Sequence, residues 1–339
     1  MDLAELNKVA NVMVAPGRGI LAADESAGTC KKRFDAIGVE STEGSRRDYR
    51  ELLFRSKGMA NISGVILFDE TIRQKAKDGT QLAKIIDQAG SLSGIKVDKG
   101  TKPLAFYPGE VVTEGIDGLR ERLIEYRGLG AKFCKWRAVI DIGSGIPSHY
   151  CIKANADALA RYAALCQDEN LVPIVEPEVL MDGDHDIDRC NQVTELALKA
   201  LFHELYLARV KLEGMVLKPN MVVPGKKSAK QASVDEVAEK TLRVLKECVP
   251  AAVPGIAFLS GGQSDLDATA RLNAMNRLGG APWKITFSYS RALQAAPQKA
   301  WSGKAENIPA AQAAFTHRAA MNGLAAMGKW SPELEKKAA

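Results

Sequence analysis

Eight short runs of apolar and β-branched residues recur along the chain, and each ends on a polar group. They are GRGILAADES (17–26), ISGVILFDE (62–70), SGIKVDKG (93–100), AKFCKWRAVI (131–140), LVPIVEPE (171–178), EGMVLKPN (213–220), GIAFLSGG (255–262) and WKITFSYSR (283–291). Their spacing, roughly 30–45 residues, leaves room in each interval for a strand, two loops and a helix. Between the runs the apolar spacing becomes helical. Leu159, Tyr162, Ala163 and Cys166 fall three, four and seven residues apart, and Val193, Leu196, Ala197, Ala200 and Leu201 repeat the stripe. Ser233-Val234-Asp235-Glu236 reads as a capping box opening a helix through Cys248, and Ser264 to Asp267 as a similar start. Eight strand–helix units predict a (β/α)8 (TIM) barrel, an α/β fold. An open doubly wound sheet is the alternative, but no GxGxxG follows the first run, which disfavours its dinucleotide-binding form. No linker rich in Pro, Gly and Ser divides the chain, so residues 1–339 read as one domain. The Ala-rich segment 304–339 reads as a C-terminal helix to about Lys329 and a loose end, SPELEKKAA.

Composition narrows the function classes. The chain is 46% hydrophobic and 26% charged, ordinary for a soluble globular protein. Its net charge of +5 is a mild excess, with no basic cluster interleaved with aromatics, so nucleic acid is not an expected partner. No apolar run approaches membrane-span length and no secretory signal opens the chain. Six scattered cysteines without a CxxC pair read as reduced thiols in a cytoplasmic protein.

In such a barrel the chemistry sits at the C-terminal ends of the strands. The polar residues there are Asp24, Asp69, Glu70, Lys96, Lys135, Arg137, Glu176, Glu178, Lys218, Ser260, Gly261, Gly262, Ser288, Ser290 and Arg291. Asp69 and Glu70 read as loop or helix-capping residues. Lys218 is different: it ends the apolar run Met215-Val216-Leu217, with Pro219 behind it. Burial and the nearby cations Lys135 and Arg137 both favour a neutral amine, which attacks a carbonyl to form a Schiff base. Glu176 and Glu178 lie two residues apart and so on one face. Crowding raises the pKa of one such carboxylate and suits it to proton transfer, while a structural salt-bridge network with Lys135 and Arg137 is the plainer reading. LSGGQS (259–264), before a helix, offers backbone N–H groups to an anion, with Arg291 nearby. Ser26, Thr29 and Lys96 suit a second phosphate, and two such sites suggest a bisphosphate. The four histidines show no HxH or HExxH spacing, so no metal is expected. DGDHD (182–186) reads as a loop with helix-capping charges.

LAADES, GIKVDKG, KWR, PIVEPE, VLKPNMV, FLSGGQS and TFSYSRALQ, in this order from about Ala15 to about Lys329, resemble class I fructose-bisphosphate aldolases. The resemblance implies reversible cleavage of fructose 1,6-bisphosphate through a lysine Schiff base, with a phosphorylated sugar as the partner and no cofactor. It makes Lys218 the Schiff-base lysine and gives Asp24 the proton at the C4 hydroxyl. Glu176 becomes the acid/base of carbinolamine formation and dehydration. Lys135 assists electrostatically, and Glu178 orients the lysines. One phosphate falls to Ser260, Gly261, Gly262, the backbone near Ser290, and Arg291. The other falls to Ser26, Thr29, Lys96 and Arg33, with Arg137 lining the cleft and Ser288 touching substrate near the lysine. A homotetramer is implied as well. Thr29 stands where the family commonly has serine, and Ser290 where it has glycine. The chain ends without the terminal tyrosine that many members use to exchange the C3 proton. Another Schiff-base aldolase, or a non-catalytic scaffold on the same fold, are the alternatives.

Overall fold

The computed structural model describes residues 1–336. All eight runs form parallel strands of one closed barrel: β1 (Gly19–Ala23), β2 (Ile62–Leu67), β3 (Leu92–Lys96), β6 (Phe133–Ile140), β7 (Val172–Val179), β8 (Val216–Leu217), β9 (Gly255–Phe258) and β10 (Lys284–Tyr289). β4 (Thr101–Pro103) and β5 (Val111–Thr113) make a separate antiparallel hairpin beyond β3. The barrel closes where β1 meets β10, Ile20 opposite Ser288.

The barrel interior is a core of its own. Ile20, Ala22, Ile66, Phe133, Val172, Ile174, Val216 and Ala257 pack together there. Leu6, Ala10, Met13 and Val14, from the helix Leu3–Met13 and its end, pack against them and plug one end. Gly64 and Gly94 give Phe133 its space: a Cβ on Gly94 would lie 2.2 Å from the ring. A larger cluster lies between the strands and the outer helices.

Those helices start where their caps indicate. Ser233 and Ser264 accept from the backbone N–H of Glu236 and Asp267. Asp186, in the DGDHD loop, caps the helix Ile187–Leu207 in the same way. Along that helix the buried stripe runs through Val193, Ala197, Leu198, Leu201 and Leu205, and Leu196 is exposed. The helix is turned so that Ala197 and Leu198 face the barrel, which puts Leu196 on the far side.

The helix Ile308–Ala325 ends before Lys329, and the chain after it is not loose throughout. Residues 332–335 form a helical turn that docks through Glu335, whose carboxylate accepts from His317, Arg318 and Trp330 at 2.7–2.8 Å. An ion pair with Arg318, 17 residues back, and hydrogen bonds with His317 and Trp330 hold this turn against its polar character. The expected loose end otherwise lies in residues 337–339, outside the described residues. Among the described residues no helix is long and apolar enough to cross a membrane.

Candidate active site

Side-chain alternation explains how charge gathers at one end of the barrel. Two residues beyond each apolar interior position, the chain again points inward. Ala22 is thus followed by Asp24, Gly94 by Lys96, Phe133 by Lys135 and Arg137, Ile174 by Glu176 and Glu178, Val216 by Lys218, and Thr286 by Ser288. The lower layers are apolar apart from Thr286, and the top layers are charged apart from Ser288.

Lys218 is held in place by the sheet. Its N–H donates to Val175 O at 2.9 Å, one residue past the Val175–Leu217 pair. Pro219 has no N–H to donate, though its carbonyl still accepts from Leu259 N at 3.1 Å. The side chain is buried, with Nζ 3.2 Å from Glu176 Oε1. Lys135, also buried, places Nζ 2.7 Å from Asp24 Oδ2 and 3.3 Å from Glu176 Oε2. Two lysines and two carboxylates therefore alternate in a line: Asp24, Lys135, Glu176, Lys218.

Their charges hold one another. Burial pushes the Asp24 carboxyl up, but the Lys135, Lys218 and Lys96 ammoniums outweigh it and hold it well below the usual carboxylate range. Burial pushes Glu176 up too, and Lys135, Lys218 and Arg137 bring it below its ordinary value. The raised pKa expected of a crowded carboxylate is not found, because three cations face Glu176. For Lys135, burial acts downward and Asp24, Glu176 and Asp98 overcome it, leaving the ammonium above its ordinary pKa.

Glu178 stands one pleat nearer the mouth and pairs with Arg137 Nε. The carboxylate that touches both lysines is Glu176, while Glu178, expected to orient them, pairs with Arg137.

A cleft of about 530 Å³ opens above this line. Its walls include Asp24, Ser26, Thr29, Arg33, Lys96, Lys135, Arg137, Glu176, Glu178, Lys218, Ser260, Gly261, Ser288, Ser290 and Arg291. Gly262 is the one expected residue outside the walls: the Lys226 side chain lies against it. Asp69 and Glu70 are also outside, paired with Arg73 and Arg46. Ser26 caps the helix Ala27–Asp35, with Thr29 in its first turn. The Ser288 hydroxyl is buried in the wall, without a hydrogen-bond partner among the described residues. Arg291 donates to Gly261 O, tying the loop after β9 to the end of β10.

Four polar wall residues lie outside those expected from the sequence: Glu25, Lys32, Asp98 and Thr101. Asp98 lies two residues after Lys96, the alternation that singled out Glu176 and Glu178, and pairs with it at 3.3 Å. Glu25 had no such signal. Its buried carboxylate accepts from Arg33 at 2.5 Å, Ser290 Oγ at 2.8 Å and Gln294 Nε2 at 2.7 Å. The Ser290 hydroxymethyl is thereby drawn toward Glu25. Among the described residues no three His, Cys, Asp or Glu side chains are grouped as metal ligands.

The family model for class I fructose-bisphosphate aldolases matches residues 5–339. The chain belongs to this family. It is 58% identical over 332 residues to a probable class 1 fructose-bisphosphate aldolase of Xanthomonas campestris, covering 97% of this chain and 99% of that one. It is 53% identical to the non-muscle-type fructose-bisphosphate aldolase of Lethenteron camtschaticum, covering 97% and 91%. The fructose-bisphosphate aldolase of Plasmodium falciparum superposes with a TM-score of 0.96 at 46% identity, over 97% and 96% of the two chains. The activity is that of a class I aldolase: a lyase that reversibly cleaves fructose 1,6-bisphosphate to dihydroxyacetone phosphate and glyceraldehyde 3-phosphate through a lysine Schiff base, as in glycolysis.

Proposed function

We propose that Lys218 is the Schiff-base lysine of this aldolase and that Glu176 moves its protons. The observation that carries this is the 3.2 Å separation of Lys218 Nζ from Glu176 Oε1 in a buried cleft. Lys218 must lose a proton before it attacks the C2 ketone, and Glu176 is the carboxylate beside it. Glu176 then returns a proton to the C2 hydroxyl of the carbinolamine, which leaves as water and yields the iminium. The electrons of the C3–C4 bond flow into that iminium to form an enamine, and the C4 hydroxyl releases its proton as the aldehyde forms. Asp24 takes up that proton and positions the substrate. Lys135, between Asp24 and Glu176, stabilises both as anions.

The two phosphates lie at opposite ends of the cleft. Ser260, Gly261, the backbone at Ser290, and Arg291 take the one on the dihydroxyacetone half. Ser26, Thr29, Arg33 and Lys96 take the other, with Arg137 along the wall and Ser288 on the substrate near Lys218. Residues 1–339 act as one domain, assembled as a homotetramer in the cytoplasm.

The test is borohydride trapping with dihydroxyacetone phosphate in EDTA, followed by peptide mass spectrometry. The expected result is one stable adduct, on Lys218. An adduct on another lysine redraws the site, and none on folded protein removes the Schiff-base assignment.

A further inference from the structure

Lys226 lies beside the loop Ser260–Gly262 and has no part in the site described so far. Its backbone is clipped to the facing loop by three successive bonds. Gly225 N donates to His185 O at 2.8 Å, Lys226 N to Met181 O at 2.7 Å and Lys227 N to Gly183 O at 3.0 Å. The approach is so close that a Cβ on Gly225 would lie 2.2 Å from Gly183 O. This clip aims the Lys226 side chain at Gly262, where a Cβ would meet Cε at 2.1 Å and Nζ at 2.2 Å. The ammonium pairs with Asp182 at 2.7 Å, and both side chains are partly exposed, 40% and 59%. Arg291 holds the same loop at Gly261 O. Gly261 itself has a φ of +53°, a left-handed turn that glycine adopts without strain.

We propose that Lys226 is a phosphate-binding residue of this cleft. Its cation is shared between Asp182, when the cleft is empty, and a phosphate seated on the Ser260–Gly262 loop. An exposed ion pair contributes little. A phosphate bearing close to two charges is the stronger acceptor, so the exchange costs little. This rests on the reading that the loop takes the phosphate of the dihydroxyacetone half.

Steady-state kinetics with fructose 1,6-bisphosphate and fructose 1-phosphate test it, because both substrates carry that phosphate. Lys226→Met keeps the stem against Gly262 and removes the charge. It is expected to raise KM for both substrates by about three- to tenfold, with kcat changed by less than about twofold. Asp182→Asn frees the ammonium and is expected to lower both KM values. Arg291→Ala, measured alongside, reports on the loop itself and should raise both. If Arg291→Ala raises both values and Lys226→Met leaves them unchanged, the proposal is overturned and the loop assignment stands. A rise confined to the bisphosphate places Lys226 on the other phosphate and also overturns it. An Asp182→Asn variant with unchanged or higher KM overturns the sharing. An unchanged KM for fructose 1-phosphate in Arg291→Ala defeats the underlying reading first.

Discussion

Glu176 touches two ammonium groups at once, Lys218 through Oε1 and Lys135 through Oε2. That contact separates it from Glu178, which the sequence places on the same strand face. Glu178 is engaged with Arg137, one pleat nearer solvent. A general acid/base must reach the reacting atoms, and among the described residues Glu176 is the carboxylate paired with Lys218 Nζ. Its depressed pKa keeps it an anion beside Lys218. Glu176→Gln keeps the shape and removes that capacity. It is expected to lower kcat by about 10²- to 10⁴-fold, with a smaller change in KM. Rapid-quench borohydride trapping distinguishes the step affected: the Lys218 adduct should form correspondingly slowly. An adduct formed at the wild-type rate would remove Glu176 from iminium formation and leave it a later role.

At the scale of elements, the strands were legible because each carries its own signal, a compact apolar run closed by a polar group. The long helices were legible from caps and stripes. What escaped depends on partners far away in sequence. The helix Leu3–Met13 has apolar residues at helical spacing, but the barrel end it plugs exists only once eight strands have closed. The hairpin β4–β5 has three-residue strands, and every residue of β4 is exposed, so no alternation marks it. Glu335 gains its purpose from His317 and Arg318 on the preceding helix. In the site the same division holds. The inward-facing residues followed from alternation, whereas the cover of Lys226 over Gly262 needs a loop 36 positions away to fold back. Gly94 tests how tightly the strand elements are fitted. It stands in β3 facing Phe133, whose ring occupies the space a Cβ would take. Gly94→Ala is expected to destabilise the protein by about 1–3 kcal/mol, the usual cost of overpacking. Denaturant unfolding measures this, and Phe133→Leu in the same chain should recover part of the loss. If Gly94→Ala is neutral, the inner layer is looser than the packing indicates.

A parallel barrel turns eight strand ends toward one mouth, so the charges of the site are coupled to the stability of the whole molecule. Asp24 and Glu176 have folded-state pKa values below their ordinary ones, held there by the buried cations. Their stabilising contribution is therefore complete above the unfolded values, about 3.9 for Asp and 4.3 for Glu, and is lost as pH falls through the depressed folded values. Lys135 has a raised folded pKa, so its contribution is complete below about 10.4 and is lost only as pH rises through that higher folded value. At neutral pH all three contributions are present. Lys135→Met removes the cation between the two carboxylates and leaves Asp24 without its 2.7 Å partner in a buried position. Breaking a buried ion pair from one side costs about 3–5 kcal/mol, a large part of the 5–15 kcal/mol that typically holds a protein folded. Without Lys135, burial, the largest influence on both carboxyls, meets less opposition, and their pKa values rise. The stranded charges can then be neutralised at moderately acid pH, which relieves the penalty. The deficit of Lys135→Met relative to the wild type should accordingly be largest near pH 7.5 and smaller near pH 5. Urea unfolding of both proteins at the two pH values measures it. An equal deficit at both would mean that Lys135 acts through packing alone, and the charge balance of the mouth would not be what ties the site to the barrel.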